Sequence, residues 1–150
     1  MTGDDGDGAA LPRHPDLLRL LDYWRRQCGD RAFPRRADID PVDFSYMLDR
    51  IALTEIHENP RRYRLRVVGS WWHATAGVEL TGTWIEDFPH ANQRQISIEA
   101  YERLIEARCP RVTVRDAWVD NRKLSYEIMH LPLSEDGERI SMIMSAIGPS

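Results

Sequence analysis

YRLRVVGSWW, Tyr63 to Trp72, starts with a period of two and then loses it. Arg62, Arg64 and Arg66 interleave with Tyr63, Leu65 and Val67, which is the pattern of a strand with one charged and one apolar face. Gly69 interrupts the run. Ser70 is placed to cap a helix holding Trp71 and Trp72, and Gly77 is placed to end it. A one-faced strand that passes through a glycine into a short aromatic helix predicts a sheet with helices laid across it.

The segments on either side extend this reading. Residues 51–57 (IALTEIH) are a second strand signal, joined to 62–68 (RYRLRVV) through a turn at Asn59 and Pro60, so the pair predicts a hairpin. Before it, Asp40 suits a cap and Pro41 a first helical position. A short helix to about Arg50 follows, with Phe44, Met47 and Leu48 as its apolar face. Further upstream, Pro15 and Asp16 suit a first helical turn; Leu17, Leu21, Trp24 and Cys28 recur at helical spacing, and Gly29 suits the C-terminal position. The opening residues are rich in Gly and Asp and poor in apolar groups. Residues 1–14 are therefore expected to be a disordered tail before one domain spanning 15–150.

After Gly77, Thr83 and Glu86 have capping-box spacing around the apolar turn Trp84, Ile85 and Phe88. Residues 92–108 place Ile98, Tyr101, Leu104 and Ile105 on one side of a longer amphipathic helix closed by Pro110. The last third holds only strand signals: VTVRDAWV from Val112, the turn DNRK, LSYEIMHLPL from Leu124, the Asp136-Gly137 turn and ISMIMSAI from Ile140. No long crossover helix separates them, so they predict an antiparallel meander. The expected class is α+β, a five-stranded antiparallel sheet with helices gathered on one face.

Composition narrows the classes of role. The net charge is −4, and 19 of the 20 basic residues are arginine, so no overall positive field favours nucleic acid or anionic lipid. Cys28 and Cys109 lie far apart, with neither zinc nor disulfide spacing, and buried thiols are the plain reading. The N-terminus lacks the apolar core of a secretory signal, and no apolar run approaches the roughly 20 residues of a membrane span. A soluble, cytoplasmic protein is expected.

The order of an N-terminal helix, two strands, short helices, a longer helix and a three-strand meander resembles the PAS domain, a sensory and interaction fold. RYRLRVVGS followed by GVELTGTWIEDF is similar to the PAS pattern in which the second strand ends in glycine and a later hydrophobic-x-Gly leads into a short helix. YWRRQCGDRAFPRRADIDP resembles the lead-in of small bacterial single-PAS proteins. The resemblance runs from about residue 15 to 147. It implies a sensory or regulatory role through protein contacts, with a small-ligand cavity between sheet and helices. Neither cysteine sits in anything like the flavin motif of light-sensing PAS domains, and residues 92–108 lack the axial histidine usual in heme-binding ones. Flavin and heme are both disfavoured, and no other cofactor is assigned.

The resemblance also sorts the candidate residues. A cavity lining is expected from Tyr63, Trp72, Trp84, Tyr101, His130 and Met144, set against ordinary core packing of large aromatics. Whether His130 shares a face with Met144 depends on register across Asp136-Gly137. The arginine face of 62–66 is read as solvated, with an anionic ligand or acidic partner as the alternative. The strands at 51–57 and 140–147 carry apolar groups on both faces: Ile51 and Leu53 against Ala52 and Ile56, Met142 and Met144 against Ile143 and Ile147. A second cover is therefore needed. The stripe Leu17, Leu21 and Trp24 supplies it, either by folding back or as the interface of a homodimer.

No HExxH, GxSxG, P-loop or GxGxxG occurs, and neither catalytic nor metal-ligating residues are assigned. Only Gly148, Pro149 and Ser150 follow the last strand signal, so no output domain is expected and any signal should leave through an unidentified protein partner. The rival is a small cone-shaped α+β enzyme, an isomerase or dehydratase with Asp116 or His130 as general base. It requires that group deep in a cavity beside a donor, whereas the sensor reading places Asp116 near the surface. A third reading is a structural dimer whose cavity falls well below about 300 Å³.

Overall fold

The computed structural model describes residues 11–149. β1 (Ile51–His57) and β2 (Arg62–Val68) form the expected hairpin, turning at Asn59, whose φ is 64°. The meander follows as β3 (Arg111–Val119), β4 (Arg122–Leu133) and β5 (Met142–Pro149). Asp120 and Asn121 join β3 to β4 with φ of 51° and 62°, the left-handed pair a two-residue hairpin turn requires. All pairs are antiparallel, in the order β2-β1-β5-β4-β3, which makes β1 and β5 neighbours.

Register divides the sheet into two faces. β5 pairs Met144 with Leu53 on one side and Leu131 on the other, while Ser145 lies between Ala52 and His130. Side chains alternate along a strand, so Leu53, Leu131 and Met144 share the outer face and Thr54, His130 and Ser145 the inner one.

α1 (Pro15–Cys28) covers the outer face. Its Leu17, Leu20, Leu21 and Trp24 are buried against Leu53, Leu131, Met144 and Ala146, each burial worth roughly 1.5–3 kcal/mol. Trp24 Nε1 donates to the carbonyl of Pro132 at 2.9 Å. The stripe folds back on its own sheet, which corrects the interface role of Leu17, Leu21 and Trp24: their apolar surface is already spent within the chain. Gly148 permits the close approach. A Cβ there would stand 2.7 Å from His14 Cβ and 2.9 Å from Leu17 Cδ1.

Residues Pro41–Arg50 join this layer as kinked 3-10 turns, with Asp40 accepting from the amide of Val42 as expected. Phe44 and Met47 are buried, but Leu48 is 42% exposed, because the non-helical backbone at Phe44 and Met47 turns it away from the face a regular helix would give it. Arg50 pairs with Asp16 at 2.8 Å, tying this segment to α1. Most of the expected N-terminal tail lies outside the described residues. Residues 11–14 do not extend it: Pro12 is buried, and Glu127 accepts from the amides of Arg13 and His14 at 2.8 and 2.7 Å. The packed chain thus begins before Pro15.

The inner face carries α2 (Ser70–Ala76), a 3-10 turn at Ile85–Asp87 and α3 (Ala91–Ala107). Gly69 answers the question its position poses. Its amide donates to Ile51 at 2.8 Å, and a Cβ there would overlap the carbonyl of Asp49, so the chain can leave β2 only through glycine. Gly69, not Ser70, is the N-cap residue, and no side-chain hydroxyl caps α2. Glu86 likewise forms no capping box with Thr83; its carboxylate accepts from the amide of Tyr63 at 3.2 Å and pins this turn to β2.

Candidate functional site

Beneath α3, alternation brings Thr54, His130 and Ser145 onto the inner face of β1, β4 and β5. Tyr101 projects onto them from α3. Thr54 Oγ1 and the Tyr101 hydroxyl share a hydrogen bond at 3.2 Å, and the Tyr101 ring meets His130 edge-on at 5.6 Å. On the other side Tyr101 packs against Tyr63 at 4.9 Å. His130 Nδ1 and Ser145 Oγ lie 2.7 Å apart. The result is a buried polar chain within an apolar layer of Leu65, Ile85, Leu104 and Ile143.

Burial sets the electrostatics. Loss of solvent, followed by the charges of Arg115 and Arg111, pushes the His130 pKa down to about 3, so the imidazole is neutral near neutral pH. Burial also raises Tyr101 above the usual tyrosine range, with the Thr54 hydrogen bond opposing it. His130 Nε2 is buried and has no hydrogen-bond partner among the described residues; the same holds for the Tyr63 hydroxyl and Trp72 Nε1. All three belong to the inner layer.

His130 opens onto a cavity of about 190 Å³ between α3 and β3, lined also by Ile96, Glu99, Ala100, Arg103, Arg111, Thr113 and Arg115. Its volume lies below the roughly 300–1,000 Å³ of pockets for drug-sized ligands. A larger cleft, about 510 Å³, lies on the outer side between Leu11, Arg13, His14 and the ends of β3, β4 and β5, at the limit of the described residues.

The expected lining therefore separates. His130 lines the cavity, Tyr101 packs on the His130 ring without lining it, Tyr63 stands behind Tyr101, and Trp72 packs half-buried in the same layer. Trp71 turns instead onto Tyr126 at 5.1 Å. Met144 belongs to the outer core, a correction that follows from register, since His130 pairs with Ser145 and Met144 with Leu131. Trp84 also leaves the site. Its backbone bridges Arg64 at the sheet edge, so the next residue, Ile85, takes the inner position and the Trp84 ring lies under Arg62 and beside His57.

Thr54, Ser145, Arg103, Arg111, Thr113 and Arg115 were missed. Their signal was available in part: Thr54 and Ser145 are polar residues at alternate positions of otherwise apolar strands, and Thr113 and Arg115 share one face of VTVRDAWV. The arginines of β2 are all engaged locally. Arg62 stacks on Trp84 at 4.2 Å, Arg64 donates to Gly82 at 3.1 Å, and Arg66 pairs with Glu55 at 2.7 Å.

The general-base test divides the same way. Asp116 is exposed on the β3–β4 hairpin, held by Ser125 and Lys123 at 2.7 and 3.4 Å. His130 is deep and has a neighbouring hydroxyl, but with a pKa near 3 it is a weak base at neutral pH. Among the described residues no group of three or more His, Cys, Asp or Glu could hold a metal ion. None of their helices is long and apolar enough to cross a membrane.

The sequence profile of the family described as PAS domain matches residues 12–147. The chain belongs to the PAS domain family. The fold agrees: this PAS domain is similar to the PAS domain of Bordetella pertussis BvgS, with a TM-score of 0.54 at 17% identity, covering 67% of this chain and 76% of that one. No curated protein matches it. Membership makes it, in general terms, a sensory or regulatory module, and the inner layer beneath α3 is its distinctive chemical feature.

Proposed function

We propose that this PAS domain senses a small ligand in the cavity beneath α3 and passes its occupancy to a partner protein by contact. The observation that carries the reading is His130, a buried side chain between Tyr101 and Ser145 that lines a cavity and whose Nε2 no described residue pairs. A buried polar atom left unpaired costs about 1–3 kcal/mol, and a ligand that satisfies it recovers that energy only in the bound state. Such a ligand favours whichever arrangement of α3 and β3 closes on it. β3 lines the cavity with Arg111, Thr113 and Arg115 and exposes Val114 and Trp118 at 63% and 72%, so movement of this edge strand reaches the surface.

The test is a native mass spectrum of the protein purified from its own host. A retained small molecule, lost when His130 is replaced by leucine, is the expected result. A bare chain in both proteins overturns ligand sensing. It would leave the second reading, a module that works by contact alone, which the small cavity volume favours. The same spectrum counts subunits; a homodimer would need a surface other than the α1 stripe.

A further inference from the structure

The two edges of the sheet are finished differently. The edge of β2 is covered: Leu65 donates to the carbonyl of Thr83 at 2.9 Å, Gly82 donates to Leu65 at 2.7 Å, and Trp84 bridges Arg64. The edge of β3 is open. β3 pairs with β4 along its whole length without a bulge, and among the described residues no backbone hydrogen bond from another element reaches residues 113–118. The alternate amides and carbonyls of such an edge form a template for another strand, and chains usually block it with proline, a bulge, outward charges or a covering segment. Residues 113–118 contain no proline; Arg115 is half-buried, and Asp116 is held by Ser125 and Lys123. Val114 and Trp118 stand exposed beside them.

The second observation is what flanks this edge. Side chains alternate along a strand, so Val112, buried in the outer core, fixes Val114, Asp116 and Trp118 on the outer side and Thr113 and Arg115 on the inner one. Each side has a space against β3: the outer cleft of about 510 Å³ meets Val112 and Val114, and the inner cavity of about 190 Å³ meets Arg115. A strand laid along β3 sends its own side chains alternately into these two spaces. Their chemistry differs. Val114 and Trp118 match apolar partners, whereas Arg115 has no ion pair among the described residues and matches a carboxylate; Glu99, on the inner lining, accepts from Gln95 instead at 2.9 Å. A second copy of this chain fits the edge less well. The two-fold antiparallel register that sets Val114 against Trp118 of the second copy also sets Asp116 against Asp116 of the second copy, and like charges directly opposite are destabilising.

We infer that the open edge of β3 is the docking site for an extended segment of a partner protein, added to the sheet as a further strand, with acidic side chains turned inward to Arg115 and apolar ones outward over Val114 and Trp118. The inference rests on the partner-contact reading above and names the surface and the kind of segment it takes. Main-chain hydrogen bonds to β3 supply the affinity, and the two flanking spaces supply the specificity. An inward carboxylate shares the inner cavity with the proposed ligand, so occupancy and docking oppose each other.

The test is amide hydrogen exchange of the full chain, followed by nuclear magnetic resonance, with a capped peptide of alternating glutamate and valine as long as β3. Alternate amides of residues 113–118 should slow about tenfold or more at saturation, and those of β2 should not change. Two variants of the peptide, one N-methylated at its glutamates and one at its valines, should differ about tenfold or more in affinity, since only one set of amides faces β3. Lysine in place of every glutamate, or Arg115→Gln in the protein, should weaken binding about tenfold or more at constant ionic strength. Val67→Lys, at an exposed valine of β2, should leave it unchanged. Equal affinities of the two methylated peptides, equal binding of the lysine peptide, or no binding of any peptide overturns the assignment. Protection of β3 that rises with protein concentration and no peptide present overturns it too, and gives the edge to a second copy. The own-host mass spectrum reads separately: a retained small molecule with an unpaired edge leaves a sensor whose signal exits elsewhere, and a bare chain with a paired edge leaves a module that works by contact alone.

Discussion

The two faces of one sheet are built from adjacent residues and differ in kind. Leu53, Leu131 and Met144 point outward, while Thr54, His130 and Ser145, each next in sequence to one of them, point inward. On the outer face the buried polar atoms are satisfied: Trp24 Nε1 reaches Pro132, and the Tyr23 hydroxyl donates to Asp43 at 2.8 Å. On the inner face the Tyr63 hydroxyl, Trp72 Nε1 and His130 Nε2 have no hydrogen-bond partner among the described residues. Interiors with complete hydrogen bonding and close packing are stable, and those with gaps are open to something else. The difference teaches that this PAS domain separates fully paired packing from unpaired polar groups by a single step along each strand.

Truncation on the outer face should have the largest effect. Leu131 is fully buried beneath α1, and Leu131→Ala should lower unfolding stability by about 3 kcal/mol in urea denaturation. A loss under about 1 kcal/mol would mean the outer core is loosely packed and would break the comparison. Next comes Gly148→Ala, which should cost about 2 kcal/mol, because the atom its Cβ would meet is His14 Cβ, close to the backbone, and not a flexible tip. A neutral effect would show that the N-terminal end of α1 is free to retreat.

How much of this was legible in the sequence follows the same division. Period-two alternation placed β2 to the residue, the apolar strand signal of IALTEIH placed β1, and the helical stripe of α1 emerged because its apolar spacing survives any tertiary detail. The face of each meander residue was not legible. Residues 134–141 form a loop with its own network, in which Asp136 accepts from the amides of Glu138 and Arg139 at 2.8 Å and from Ser134 at 3.0 Å. β5 consequently begins at Met142, and Ile140, expected in the strand, is buried as part of the loop. One residue of register decides whether Met144 or Ser145 stands beside His130, and no local pattern encodes it. Trp84 failed differently, since an edge bridge to Arg64 outweighed the apolar pattern that would have turned it inward.

Acid should expose the inner face selectively. In the folded chain His130 stays neutral down to about pH 3, whereas in the unfolded chain it takes a proton near the ordinary 6.5. The unfolded state therefore binds more protons across that window, so this contribution is complete above about pH 6.5 and is lost as pH falls toward 3. The expected slope from this group approaches about 1.4 kcal/mol per pH unit in denaturant unfolding between pH 6 and 5. His130→Gln should flatten the profile. An unchanged slope in that variant would show that His130 is not sequestered and that the inner face is wetter than its burial implies.

The smallest effect discriminates most finely. Tyr101→Phe removes the partner of Thr54 Oγ1 and should destabilise the chain by about 1 kcal/mol, chiefly by leaving a buried hydroxyl unpaired. Adding Thr54→Val removes that orphan too, and replacing both partners by apolar groups of similar shape should restore most of the loss. Outer-face truncations have no such rescue, since a cavity left by Leu131 is not refilled by a second deletion. If the double variant recovers stability, the polar chain of the inner face is dispensable to folding, and Tyr101 and Thr54 are free to serve the sensing role proposed for the cavity beside His130. If it stays as destabilised as the single variant, the hydrogen bond belongs to the fold, and the two faces differ in polarity alone.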